Sequence, residues 1–274
     1  MRAGWDGAAP VELPPMTLAD RLRIAVRAPV ALLWLGGCFA VFLALALLDR
    51  LLARRGDRAL APSIVGLWSR GAARLLGLRV LVRGAPMAAG GAIVANHSSW
   101  IDIVALRCAA PVFFVSKAEV SGWPVIGLIG RAIGTEFIER RPTEARRQAD
   151  ALAARIAAGD RLCLFPEGTS SDGQRVLPFK SSLFGSFPSG PSGARVQPVS
   201  VRYRPRPDLP AAFYGWWGEM DFGSHLVAVL GRSRGGRVEI TLHPPLDPAA
   251  LPDRKALAVA AEAAVRDGFG AERM

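Results

Sequence analysis

The chain has 274 residues, 51% of them hydrophobic and 21% charged, with 34 Lys and Arg against 23 Asp and Glu for a net charge of +11. This excludes a disordered chain, a coiled coil and a collagen-like fibre, and the length suffices to bury a core without disulfides or metal. The basic excess suits nucleic acid or an anionic membrane surface, and the positive mean hydropathy of +0.25 favours the membrane.

Residues 1–60 read as an N-terminal anchoring segment. Its centre, Ala28–Leu48, has 21 residues without a charge, and as a helix this spans about 32 Å, close to the hydrocarbon core of a bilayer. Arginines flank it on both sides (Arg21, Arg23, Arg27; Arg50, Arg54, Arg55, Arg58), so the positive-inside rule does not orient it. A membrane helix, or a helix pair returning through the amphipathic stretch 62–77, fits the pattern. From 61 to 274 the sequence reads as one domain. Strands are expected at 78–83, 91–95, 112–116, 135–138, 161–165, 196–202 and 237–243, and helices at 99–109, 143–158 and 251–267. Alternation of this kind predicts an α/β fold. The Ser-, Gly- and Pro-rich 168–193 stretch is a loop by composition, and a loop that long in a compact domain is usually functional. Cys38, Cys108 and Cys163 form no C-x-x-C pair and read as buried thiols in a reducing compartment.

Three histidines exist. His243, at a strand end before two prolines, and His225, in an apolar run, suit packing roles. His97 directly follows the 91–95 strand, where open α/β sheets place ligands. If Ser98 or Ser99 caps the next helix, Asp102 lies in the first turn and reaches back to the imidazole. A carboxylate on one ring nitrogen sets the tautomer and supports an imidazolium, the arrangement of a base and its orienter. No protein nucleophile accompanies them, so a substrate hydroxyl takes that part. Backbone N–H groups near 96–100 are candidates for an oxyanion site. A second strand end carries Phe165-Pro166-Glu167-Gly168-Thr169, a turn suited to holding hydroxyls or a polar head group.

NHSSWID and FPEGT, in this order and 70 residues apart (167 − 97), resemble the blocks of the glycerolipid acyltransferase family, which includes 1-acyl-glycerol-3-phosphate and lysophospholipid acyltransferases. The resemblance implies His97 as base and Asp102 as its partner. It implies acceptor binding by Gly134, Phe137 and Arg140 (GTEFIER) and by Glu167, Gly168 and Thr169 (FPEGT), and it places Pro198 (VQPVSV) near the acyl path. Lys117, Glu119, Pro124 and Gly127 match a further lysine-containing turn. The likeness covers about 78–203 and implies a mixed sheet with flanking helices.

An enzyme of this family transfers a fatty acyl group from a thioester to a lipid hydroxyl. Acyl carrier protein or coenzyme A enters only as the donor carrier, and both are acidic, as the basic surface favours. No metal or redox cofactor is implied. The partners expected are a lysolipid acceptor, the thioester donor and an anionic membrane, with the domain on the cytoplasmic side of the inner membrane. A non-catalytic lipid-binding protein explains the charge and the apolar segment but not His97 with Asp102. Nucleic-acid binding explains only the charge. The acceptor expected first is lysophosphatidate, acylated to phosphatidate in phospholipid biosynthesis, with Arg140, Arg141, Arg175 and Lys180 as phosphate-binding candidates. Yet Ser170 stands where the family commonly has the arginine of Phe-Pro-Glu-Gly-Thr-Arg. The alternative is the lyso-ornithine lipid acyltransferase subgroup, to which SSDGQRVLPFKSSLF and MDFGSHL are similar. In that case Asp172 or Glu219 pairs with the ornithine ammonium.

Overall fold

The computed structural model describes residues 5, 7–53, 60–88, 90–139, 145–185 and 194–270. Its first helix, α1 (Leu18–Leu51), starts well before the uncharged run because Thr17 and Asp20 form a capping box, each side chain bonding the other's backbone N–H. It has 34 residues and is the one helix among the described residues long and apolar enough to cross a membrane. The added N-terminal turns lie on α6 (Phe222–Arg232). There Arg27 donates to the carbonyls of Leu230 at 2.9 Å and Ser233 at 2.6 Å, and Arg23 donates to Gly231 at 2.6 Å. These carbonyls end a helix and have no intrahelical donors.

The second helix, α2 (Ala61–Leu75), returns antiparallel to α1. Buried Asp49 accepts the N–H groups of Leu60 and Ala61 at 2.8–2.9 Å, and Trp34 donates to the Trp68 carbonyl at 3.1 Å. Of the two anchor forms expected, the structure forms a helix pair. The other side of α2 packs on α3 (Ile101–Ala109) and β1 (Leu78–Arg83).

Seven strands form one sheet in the order β1-β7-β6-β2-β5-β3-β4. The remaining strands are β2 (Gly91–Ala95), β3 (Phe113–Lys117), β4 (Glu136–Ile138), β5 (Arg161–Leu164), β6 (Arg195–Arg204) and β7 (Gly236–Leu242). All pairs are parallel except β6 with β7, so the sheet is mixed, as expected. Helices cover both faces, which lets central strands be apolar throughout. In β2, Ile93 and Ala95 enter a core shared with Leu106, Val229 and Ile240. Ala92 and Val94 face the opposite core with Leu162, Phe184 and Leu257, where α5 (Ala145–Ala157) and α7 (Arg254–Gly270) pack. α4 (Pro124–Ala132) and α6 are not among the helices whose bounds the sequence reading set. α4 is nine residues long, and the apolar VAVL run of α6 suits a strand equally well.

Candidate active site

β2 and β5 are adjacent and parallel, so their C-terminal ends open on the same sheet edge and bring NHSSWID beside FPEGT. Asn96 leaves β2 and pairs with β6 through its amide, donating to the Val201 carbonyl and accepting its N–H, both at 2.8 Å. This side chain continues the ladder by one more residue and sets the direction of the turn. His97 comes next, its ring stacked on Phe165 with centroids 4.0 Å apart.

Asp102 has no exposed surface and collects four donors. Its Oδ2 takes His97 Nδ1 at 2.7 Å and the N–H groups of Ser98 and Ser99 at 2.8 and 3.0 Å; its Oδ1 takes the Tyr203 hydroxyl at 2.6 Å. A carboxylate at Nδ1 selects the tautomer with its hydrogen there and leaves the Nε2 lone pair open. Tyr203 lies 101 residues from Asp102, and neither it nor Asn96 was singled out from the sequence. One expectation holds at Ser99 and one changes. α3 begins at Ile101, whose N–H is accepted by Ser99 Oγ at 3.3 Å, while Ser98 Oγ has no partner among the described residues. The N–H groups of Ser98 and Ser99 point to Asp102, so they are not donors for an oxyanion. The other histidines pack: His225 accepts Trp100 Nε1–H at 2.9 Å and is held below the usual histidine range by burial, and His243 Nε2 meets Ser200 Oγ at 2.8 Å.

His97 opens on a cleft of about 1470 Å³ running between α1, α2 and α4, with walls such as Leu35, Phe39, Trp68, Ile129 and Phe137. It is large enough for extended hydrocarbon. Phe137, Gly168 and Thr169 line it, as do Lys117 and Glu119. Thr169 Oγ1 accepts the Trp5 N–H at 3.0 Å.

Other residues singled out from the sequence lie outside this lining. Gly134 sits behind it, φ +79°, with its carbonyl accepting from Arg155 at 2.7 Å. Pro198 is buried in β6 beside Val94. Lys180 is exposed and passes over Gly168. Arg140 and Arg141 fall outside the described residues. Glu167 is turned inward: it is 2% exposed, its Oε1 accepts the Leu177 N–H at 3.2 Å, and its Oε2 has no partner. Burial pushes its carboxyl up to about 9, against a smaller opposing effect from the Leu177 and His97 backbone N–H groups. In this position it ties the loop at Leu177 and lies outside the cleft lining.

A family model described as Acyltransferase matches residues 79–202. A lyso-ornithine lipid O-acyltransferase of Rhodobacter capsulatus is 45% identical over 268 residues, covering 97% of both chains. This chain belongs to the glycerolipid acyltransferase family. A second lyso-ornithine lipid O-acyltransferase, from Brucella abortus, is 38% identical over 71% of this chain and 77% of its own length. In fold, this acyltransferase is similar to the 1-acyl-sn-glycerophosphate (LPA) acyltransferase PlsC of Thermotoga maritima, with a TM-score of 0.62 and 21% identity over 93% of this chain and 97% of that one.

Proposed function

We propose that this acyltransferase moves a fatty acyl group from a thioester to the free hydroxyl of lyso-ornithine lipid, with His97 as general base. The observation that carries the acceptor is the whole-length likeness to the Rhodobacter capsulatus enzyme. The cleft agrees with it. The described residues lining it include no arginine, one lysine, Lys117, and two carboxylates, Glu119 and Glu219. Of the four cations proposed for a phosphate, Arg175 is bound to Asp172 (2.9 Å) and Lys180 lies outside the lining, while Arg140 and Arg141 are not described. Lysophosphatidate, expected first from the sequence, is therefore the weaker reading.

In the proposed reaction His97 Nε2 takes the hydroxyl proton as the acceptor oxygen attacks the thioester carbonyl. The tetrahedral intermediate then expels the thiolate, and the imidazolium returns the proton to sulfur. Asp102 balances the imidazolium charge, Tyr203 holds Asp102 from the far side, and Phe165 fixes the ring plane. The donor is an acyl-ACP or acyl-CoA, attracted by the basic surface.

Residues 1–60 anchor the chain in the inner membrane and 61–274 carry the chemistry on the cytoplasmic side, where acyl thioesters are made. α1 also forms a cleft wall, so removing 1–60 should release the protein and abolish transfer together. For orientation, Val259 is 68% exposed on α7. A cysteine placed there should react with an impermeant thiol reagent only after cells are opened, and labelling of intact cells would reverse the topology. For the acceptor, purified enzyme is offered lyso-ornithine lipid and lysophosphatidate with one donor. A preference above ~100-fold for lyso-ornithine lipid, about 2.7 kcal/mol, is expected. A preference for lysophosphatidate overturns the assignment.

A further inference from the structure

We propose that Glu219 is the residue that receives the side-chain ammonium of the acceptor's ornithine head group. The inference rests on the lyso-ornithine reading and extends it to a specificity residue.

An acceptor ammonium needs a carboxylate that faces the cleft and is not already neutralised. The sequence offered Asp172 and Glu219, and the structure separates them. Asp172 is 4% exposed. Arg175 donates to both its oxygens, at 3.2 and 2.9 Å, and the Gln174 N–H to one, at 3.1 Å. Its charge is already paired with Arg175, and it lies outside the cleft lining. Glu219 lines the cleft with His97, is exposed, and bonds no described residue.

The backbone beneath Glu219 is held in place. Trp217–Met220 forms a turn closed by Met220 N–H on the Trp217 carbonyl at 3.2 Å, with Gly218 at φ +60°. Trp217 Nε1 donates to Ala8 at 3.0 Å and Trp216 Nε1 to Met220 at 2.8 Å. The Trp216 N–H donates to the Ser98 carbonyl at 2.8 Å, which ties this turn to the residue after His97. A head group bound at Glu219 is thus referenced to the base through one backbone bond and a short rigid turn. Trp216 and Trp217 also line the cleft, and their rings add cation–π attraction for an ammonium.

Among the described residues, Glu119 is the other carboxylate lining the cleft. It stands two residues after Lys117, which lines the same cleft, so a cation sits near it along the chain, whereas no lysine or arginine lies within two residues of Glu219.

The test compares lyso-ornithine lipid with its N-acetylated analogue, which keeps the hydroxyl and the carboxylate but lacks the ammonium. Glu219→Gln should raise KM for lyso-ornithine lipid about 10–100-fold, the usual range for a charged hydrogen bond, with kcat within about threefold of wild type. KM for the acetylated analogue should not change, so the preference between the two acceptors disappears, and Glu219→Asp should restore part of it. The proposal is overturned if Glu219→Gln keeps the preference, if it loses both acceptors equally, or if Glu119→Gln abolishes the preference in its place. Failure of the underlying reading is visible earlier: wild-type enzyme would then not acylate lyso-ornithine lipid, and this inference would fall with it.

Discussion

Glu167 offers a quantitative test of the fold around the site. Its buried carboxyl has a partner on one oxygen only, and burial pushes it from 4.5 up to about 9. The folded pKa thus lies above the unfolded one, so the folded state keeps a proton that the unfolded chain releases. The contribution to stability is fully present below about pH 4.5 and is lost as pH rises toward 9. Within that window each pH unit removes about 1.4 kcal/mol, or roughly 2.7 kcal/mol between pH 6 and pH 8. That is a sizeable part of an ordinary folding free energy of about 5–15 kcal/mol. Glu167→Gln keeps the shape and an acceptor for Leu177 but does not titrate. Its unpaired amide N–H costs about 1–3 kcal/mol at every pH, and this cancels when each protein is compared with itself. Urea unfolding in detergent at pH 6 and pH 8 should show wild type losing about 2–3 kcal/mol more than Glu167→Gln. Equal losses in the two proteins would refute a neutral buried Glu167.

Asp102→Asn can turn its oxygen to His97, Ser98 and Ser99 and its NH₂ to the Tyr203 hydroxyl, which also accepts. Turnover should drop about 10²–10⁴-fold with the melting transition preserved; a lost transition would make Asp102 a folding residue only. His97→Ala should lose a similar factor, the usual contribution of a general base at about 10²–10⁴, and activity within threefold of wild type would remove the base assignment. Gly168→Ala forces a side chain into φ +71° beside Lys180 Nζ, where a Cβ would lie at 2.8 Å. Because the lysine end can move aside, the cost should be the backbone's, about 1–2 kcal/mol by denaturant midpoint. Asp49→Ala uncaps the start of α2 and should lower stability by about 0.5–2 kcal/mol, with no change in KM for either substrate.

By itself the sequence determined the strands and the local pair at the site. LRVLVR and GAIVA form β1 and β2 with the bounds read from their apolar runs, because β-branched residues between turn signals favour extended backbone; β2 is buried throughout and β1, at the sheet edge, is largely exposed. His97 and Asp102 meet because a tight turn joins the two residues. α6 was legible only through Asp221, whose side chain caps its first turn at Ser224 N–H, a signal weaker than the strand-like VAVL run beside it. The tertiary structure decided the rest. Tyr203 reaches Asp102 because β6 lies parallel to β2 in one particular register. Glu167 turns inward and Glu219 outward, although a carboxylate in a polar loop reads the same in both places. Arg23 and Arg27, which look like membrane flanks, instead close the end of α6. The Tyr203 and arginine contacts join residues 101 to 208 positions apart. Local propensity has no term for such distances, and only strand order and helix packing bring the partners within hydrogen-bond range.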